Sequence, residues 1–181
     1  MTTVTTVPVS LASNSYDIFV GDQVLGNVGE ILRNRFGAHK IVVVTDNQVA
    51  QLYLPRLRES LAREGYDISE IIVPAGEGSK SFGCFETLAT DMLRSGIARD
   101  SLVVALGGGV VGDLAGFAAS VVLRGINYIQ VPTTLLAQVD SAVGGKTAIN
   151  TSLGKNLVGT FHQPKLVVAD TSCLLYTSPS P

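Results

Sequence analysis

Charge, cysteine and histidine are all scarce in this chain. Asp, Glu, Lys and Arg make up 15% of its 181 residues, and thirteen basic against fifteen acidic side chains leave a net charge of −2. That balance carries no electrostatic footprint for nucleic acid. Two cysteines, Cys84 and Cys173, are too few for a disulfide framework. The two histidines are His39 and His162, and neither an H-x-x-x-H nor a C-x-x-C spacing occurs, so no metal site is expected. The start, Met1 followed by T-T-V-T-T, lacks the basic residues and apolar run of a secretory signal, which makes the cytoplasm the expected location.

What the chain has instead is apolar residues, 46% of the total. Its length suffices to bury a core, and the composition fits one α/β domain whose strands are covered on both faces. Residues 101 to 123 form an apolar stretch long enough to span a bilayer, with Gly108, Gly112 and Gly116 at the G-x-x-x-G spacing of packed membrane helices. Asp113 in its middle would cost about 2.5 to 3.5 kcal/mol at a membrane centre. Three consecutive glycines would weaken a continuous helix by about 1 kcal/mol each. No membrane span is therefore expected.

Strand and helix patterns alternate along the chain. Strands are expected near Tyr16 to Val20, Lys40 to Thr45, Ile68 to Val73, Leu102 to Leu106, Tyr128 to Val131 and Leu166 to Ala169, with amphipathic helices over Leu54 to Glu64 and Phe82 to Ser95. In the second helix Phe85, Leu88, Ala89, Met92 and Leu93 fall on one face, which predicts their burial, and Gly96 ends it.

The strand before Gly107 runs straight into G-G-G-V-V-G-D, ending at Asp113. A buried strand delivers the chain to a turn without Cβ atoms, where backbone N–H groups and a helix N-terminus can face a phosphate. Gly107, Gly109 and Gly112 satisfy G-x-G-x-x-G, a weak signal by itself. The acidic residue expected about 20 positions on is missing, since no Asp or Glu lies between Asp113 and Asp140. Asp46, at the end of an earlier buried strand, is the candidate to hold a ribose at the same sheet edge.

From Ser101 to Gln163 the charged residues are Arg124, Lys146, Lys155, Asp113 and Asp140 alone. So few charges in so apolar a segment point to a ligand or an interface. In the stretch from Val131 to Asn150, Pro132 with Thr133 or Thr134 can cap a helix, Asp140 comes at its far end, and Gly144-Gly145 allow Lys146 to point back. A capped helix followed by a glycine turn is the plain structural alternative.

Taken together, P-A-G-E-G-S-K from Pro74 to Lys80, the turn from Gly107 to Asp113, the segment from Val131 through Asn150, and G-K-N-L-V-G-T-F-H-Q-P from Gly154 to Pro164 resemble the 3-dehydroquinate synthase family over about residues 15 to 172. The resemblance implies a Rossmann-like parallel sheet with helices on both faces. It also implies conversion of a phosphorylated sugar acid, 3-deoxy-D-arabino-heptulosonate 7-phosphate, to 3-dehydroquinate and phosphate in the shikimate pathway, with transient oxidation by bound NAD, zinc or cobalt as Lewis acid, and a homodimer. By the same resemblance, Asp46, Glu77, Lys80, Gly108, Gly109, Asp113, Thr133, Thr134 and Lys155 contact NAD. Asp140, Lys146 and Asn156 reach the substrate and carry the catalysis, and Arg124 crosses to the neighbouring subunit's substrate phosphate. Another sugar-phosphate cyclase, of inosose or valiolone synthase type, or a non-catalytic nucleotide-binding module are the alternatives.

The family continues after the equivalent of Ser172 into an all-helical domain that carries the metal ligands, one glutamate and two histidines. Here the sequence reads C-L-L-Y-T-S-P-S-P from Cys173 to Pro181. The expectation is an NAD-binding domain over residues 1 to 172, a non-native or disordered tail over 173 to 181, and a fragment inactive alone.

Overall fold

A strand buried on both faces must be apolar at every position, and two such runs organise the fold. The computed structural model describes residues 4–12 and 14–175. In chain order its elements are β1 (Val4–Val9), β2 (Tyr16–Gly21), α1 (Val28–Phe36), β3 (Lys40–Asp46), α2 (Asn47–Arg63), β4 (Asp67–Val73), α3 (Phe82–Arg94), β5 (Leu102–Gly107), α4 (Gly109–Val121), β6 (Asn127–Pro132), β7 (Lys146–Thr151), β8 (Gly154–Phe161) and β9 (Leu166–Asp170). Seven strands form one sheet in the order β1-β2-β9-β6-β5-β3-β4, parallel except for β1, and β7 with β8 makes a separate antiparallel hairpin. This is the expected Rossmann-like architecture.

The sheet separates two apolar layers. Ile41 and Val43 of β3, with Leu102, Val104 and Leu106 of β5, face a core shared with Leu32 of α1 and Leu57 and Leu61 of α2. Their neighbours Val42, Val44, Val103 and Ala105 face Leu88 and Met92 of α3 and Leu114 and Ala118 of α4. Period-two alternation across a sheet covered on both sides explains why these strands read as unbroken apolar runs.

All six expected strands are present, each longer by a residue or two. The helix expected from Leu54 begins at Asn47, because Asp46 caps it and Pro55 is accommodated inside it. Leu93 is a correction: it is 53% exposed, since eight residues from Phe85 it lies about 80° off the buried stripe at 100° per residue. The elements the sequence reading omitted are β1, α1 and the β7–β8 hairpin. The expected domain end at residue 172 falls within a short 3-10 turn, Thr171–Leu175, where Cys173 is buried. Residues 176–181 of the expected tail lie outside the described residues. No described helix is long and apolar enough to cross a membrane.

Chain order sets where ligands can lie. From β3 the chain goes outward to β4 and returns to place β5 on the other side of β3, so connections diverge above the carboxyl ends of β3 and β5, leaving a crevice there. On one wall, α4 packs against β5, β6 and the hairpin through its glycines. A Cβ on Gly112 would collide with Gln130 Oε1, and one on Gly116 would lie 2.5 Å from Thr147 Cγ2 and 3.1 Å from the Tyr128 ring.

Gly116→Ala is therefore expected to destabilise the domain by about 1 to 3 kcal/mol through overpacking. A urea titration followed by circular dichroism checks this, with a lower midpoint and an unchanged slope as the expected result.

Candidate functional site

At the carboxyl edge, Thr45 pairs with Leu106, which brings Asp46 of β3 beside Gly107 of β5. Asp46 Oδ1 accepts the N–H groups of Gln48 and Val49 and so caps α2, while Oδ2 has no hydrogen bond to a described residue. Gly108 begins α4 without a side-chain cap, and the first N–H groups of a helix have no acceptor within it. Thr133 packs on this turn, donating its N–H to Gly107 O. Its hydroxyl is buried without a hydrogen-bond partner among the described residues, and so is that of Thr45. Thr134 Oγ1 accepts the Ala137 N–H, capping the short helix that ends in the π-helical segment Ala137–Ser141 and carries Asp140. The cap and the position of Asp140 agree with the sequence reading.

The charged residues converge below this turn. Lys80 is only 4% exposed; its Nζ lies 2.5 Å from Asp113 Oδ2 and also donates to Asn156 Oδ1. Burial raises the Asp113 carboxyl above the usual carboxylate range, and Lys80 opposes that rise. Asp113 stands beyond the first turn of its helix, so it serves the lysine rather than the helix end. Glu77 Oε1 accepts Asn150 Nδ2 at 2.8 Å and meets the exposed Lys155 Nζ at 3.8 Å. The Asn150 hydrogen bond is the main cause holding the Glu77 carboxyl below its ordinary value. Glu77 and Lys80 thus face different partners and are not a surface turn pair.

A cleft of about 460 Å³ opens between α4, the Asp140 segment and the hairpin, lined by Asp113, Asp140, Lys146 and Asn156 among others. Lys146 and Asp140 are exposed, and neither side chain has a hydrogen bond or ion pair to a described residue. Arg124 is apart from these. It lies at the far end of α4, exposed and with φ 67°, about 20 Å along the helix from the glycine turn.

Sequence reading missed Thr45 and Asn150. Thr45 was discoverable as the one polar side chain inside an otherwise apolar strand, whereas the partners of Asn150 depend on the unpredicted hairpin. His162, unassigned from sequence, is structural. It stacks on Tyr128 and its Nε2 donates to Ile126 O at 2.9 Å. The cysteines are poor nucleophiles, since burial raises the Cys84 thiol and pushes Cys173 up to about 12. Among the described residues no three His, Cys, Asp or Glu side chains are grouped to hold a metal ion.

The family model described as 3-dehydroquinate synthase N-terminal matches residues 70–180. The 3-dehydroquinate synthase of Brucella anthropi is 53% identical over 176 residues, covering 97% of this chain and 47% of that protein, and that of Brucella ovis is 53% identical over 174 residues, 96% and 46%. The chain thus spans about half the length of the curated relatives it matches. A 2-deoxy-scyllo-inosose synthase structure complexed with carbaglucose-6-phosphate, NAD+ and Co2+ superposes with a TM-score of 0.88 at 32% identity, covering 97% of this chain and 48% of that one. A 2-epi-5-epi-valiolone synthase from Streptomyces hygroscopicus with NAD+ and Zn2+ bound gives 0.81 at 30% identity, 93% and 46%.

Removing the Lys80 charge leaves Asp113 desolvated and unopposed. Lys80→Met is expected to cost about 3 kcal/mol at pH 8 and to push the Asp113 carboxyl further up. A carboxyl raised in the folded state loses stability as pH rises through its folded value, so the deficit shrinks as pH falls toward 4. Urea midpoints of both proteins from pH 4 to 8 test this; a deficit independent of pH would contradict it.

Proposed function

The chain belongs to the 3-dehydroquinate synthase family, and from that membership we propose that it is the NAD-binding half of such an enzyme, a lyase. The substrate of the longer protein is 3-deoxy-D-arabino-heptulosonate 7-phosphate, and its products are 3-dehydroquinate and phosphate. The 53% identity to 3-dehydroquinate synthases, against 30 to 32% to the inosose and valiolone synthases, favours this substrate over those of the sister cyclases.

The observation that carries the reading is the carboxyl edge of β3, β5 and β6. There a carboxylate oxygen and two buried hydroxyls that have no hydrogen-bond partner among the described residues stand with a helix N-terminus that carries no side-chain cap. These are the donors and acceptors a dinucleotide needs. Asp46 Oδ2 would accept ribose hydroxyls, Gly108, Gly109 and the first turn of α4 would face the pyrophosphate, and Thr133 and Thr134 would bond the cofactor further along. A Cβ on Gly108 would lie 3.2 Å from Thr134 Cγ2, so the turn is already as close as its neighbour permits.

When bound, NAD supplies a transient oxidation of a substrate alcohol to a ketone, which acidifies the adjacent C–H. The chain's own side chains bind and orient. Lys146, unpaired at the cleft, neutralises an anionic group of the substrate; Asn156 offers an amide and Asp140 an acceptor for hydroxyls. Lys80 and Asp113 hold Asn156 in place, and Glu77 with Lys155 stand on the nucleotide side. Arg124, remote from this cleft, would serve a neighbouring subunit in a homodimer. Metal ligands do not assemble among the described residues, so no step here runs through zinc or cobalt; those ligands would come from the helical half of the longer protein. The cytoplasm is the proposed location.

Calorimetric titration of this chain with NAD is the direct test. Binding is expected, weakened by about tenfold in Gly108→Ala, a loss of about 1.4 kcal/mol. In the longer protein, Lys146→Ala should lower phosphate release by about 100-fold, while this half alone should release none. Absence of NAD binding, or turnover by this half alone, would overturn the reading.

A further inference from the structure

One irregularity in the hairpin bears on the nucleotide side of the cleft. Ile149 pairs with Val158 and Thr151 with Gly154, so Asn150 alone stands opposite Lys155, Asn156 and Leu157. The surplus makes a bulge, and Asn156 within it adopts a left-handed backbone with φ 57°. A bulge leaves backbone groups without ladder partners and re-aims the side chains it carries. Here the Asn156 N–H that the ladder does not use is accepted by Asn150 Oδ1 at 2.9 Å.

The other end of the same amide reaches the loop after β4. Asn150 Nδ2 donates to Glu77 Oε1 at 2.8 Å, and the Asn150 backbone N–H donates to Lys80 O at 2.7 Å. The amide orientation is forced, because a backbone N–H can only donate and a carboxylate can only accept. One residue therefore bonds the loop bearing Glu77 and Lys80 and the bulge bearing Lys155 and Asn156. Neither aspartate nor serine can make both side-chain bonds. Aspartate keeps the acceptor but turns a second carboxylate on Glu77, and serine is too short to span both partners.

We propose that Asn150 is a positioning residue for the nucleotide side of the site, fixing Glu77 and the bulge of β8 in one geometry through its amide. The inference rests on the NAD reading above, and it assigns Asn150 no contact with the cofactor itself.

The test is calorimetric titration of this chain with NAD at pH 5.5 and pH 8, with near-ultraviolet circular dichroism confirming the fold at each. Asn150→Asp is expected to bind NAD about tenfold more weakly at pH 8, a loss in the range for a hydrogen bond to a charged group. It should recover most of that loss at pH 5.5. There a proton shared between the two carboxyls restores a donor toward Glu77, while the unaltered chain changes little. Asn150→Ser, which introduces no charge, should bind about tenfold more weakly at both pH values. Unchanged affinity in either variant, or a loss in Asn150→Asp that low pH does not rescue, would overturn the positioning role. Failure of the unaltered chain to bind NAD would instead defeat the functional reading and the inference with it.

Discussion

The structure depends on the close approach of α4 to the sheet and the hairpin. With no Cβ at Gly112 and Gly116, Gln130 of β6 and Thr147 of β7 reach the helix backbone. Close packing on this face is worth more to the fold than the helix propensity the glycines give up, about 1 kcal/mol each. The consequence is positional. With its axis drawn close, α4 presents its N-terminus beside β5 and β6 and its Asp113 to the loop after β4, while the hairpin, packed on the same face, supplies Asn156 from the other side.

That geometry explains the scarcity of charge in this half of the sequence. A carboxylate on a helix packed so closely cannot be solvated fully, and burial raises Asp113 accordingly. A desolvated ion persists only where partners satisfy it, and Lys80, itself held by Asn156 Oδ1, does so. Further charges on α4 would need partners of the same quality. The helix therefore keeps one carboxylate and fills the rest of its buried surface with Val111, Leu114, Ala115, Ala118 and Ala119.

Much of the sheet was legible from sequence because a strand covered on both faces has one signature, an unbroken apolar run between turn residues. The glycine turn was legible for a related reason, since strand, glycines and helix follow one another locally. The hairpin was not. Residues 146 to 161 mix glycine, threonine and asparagine, and β8 is largely exposed, so no apolar alternation marks it; only tertiary packing on α4 makes it a pair of strands. Helix α2 hid its first half behind Pro55, which propensity reads as a boundary. The spacing of Gly108, Gly112 and Gly116, weighed in the sequence only as a membrane-helix pattern and set aside, marks the face on which α4 packs against the sheet and the hairpin. Residues such as Asp140 and Lys146 could be singled out by their rarity, whereas the web around Asn150 could not, because Asn150 lies 73 positions from Glu77.

The three lysines around the cleft differ in what binding an anion would cost them. Lys80 is 5% exposed at its side chain and already paired to Asp113 and Asn156, so turning it toward a phosphate would strip a desolvated carboxylate of its partner, at about 3 to 5 kcal/mol. Lys155 is 73% exposed at its side chain and only loosely paired to Glu77 at 3.8 Å, an arrangement worth about 1 kcal/mol or less. The Lys146 side chain lines the cleft and has no hydrogen bond or ion pair to a described residue to surrender. An anion entering the cleft would therefore displace nothing at Lys146 and little at Lys155, whereas Lys80 would have to give up Asp113. The physics thus separates the two residues: Lys80 is committed to Asp113 and Asn156, two side chains that line the cleft, whereas the Lys146 charge stands open to it.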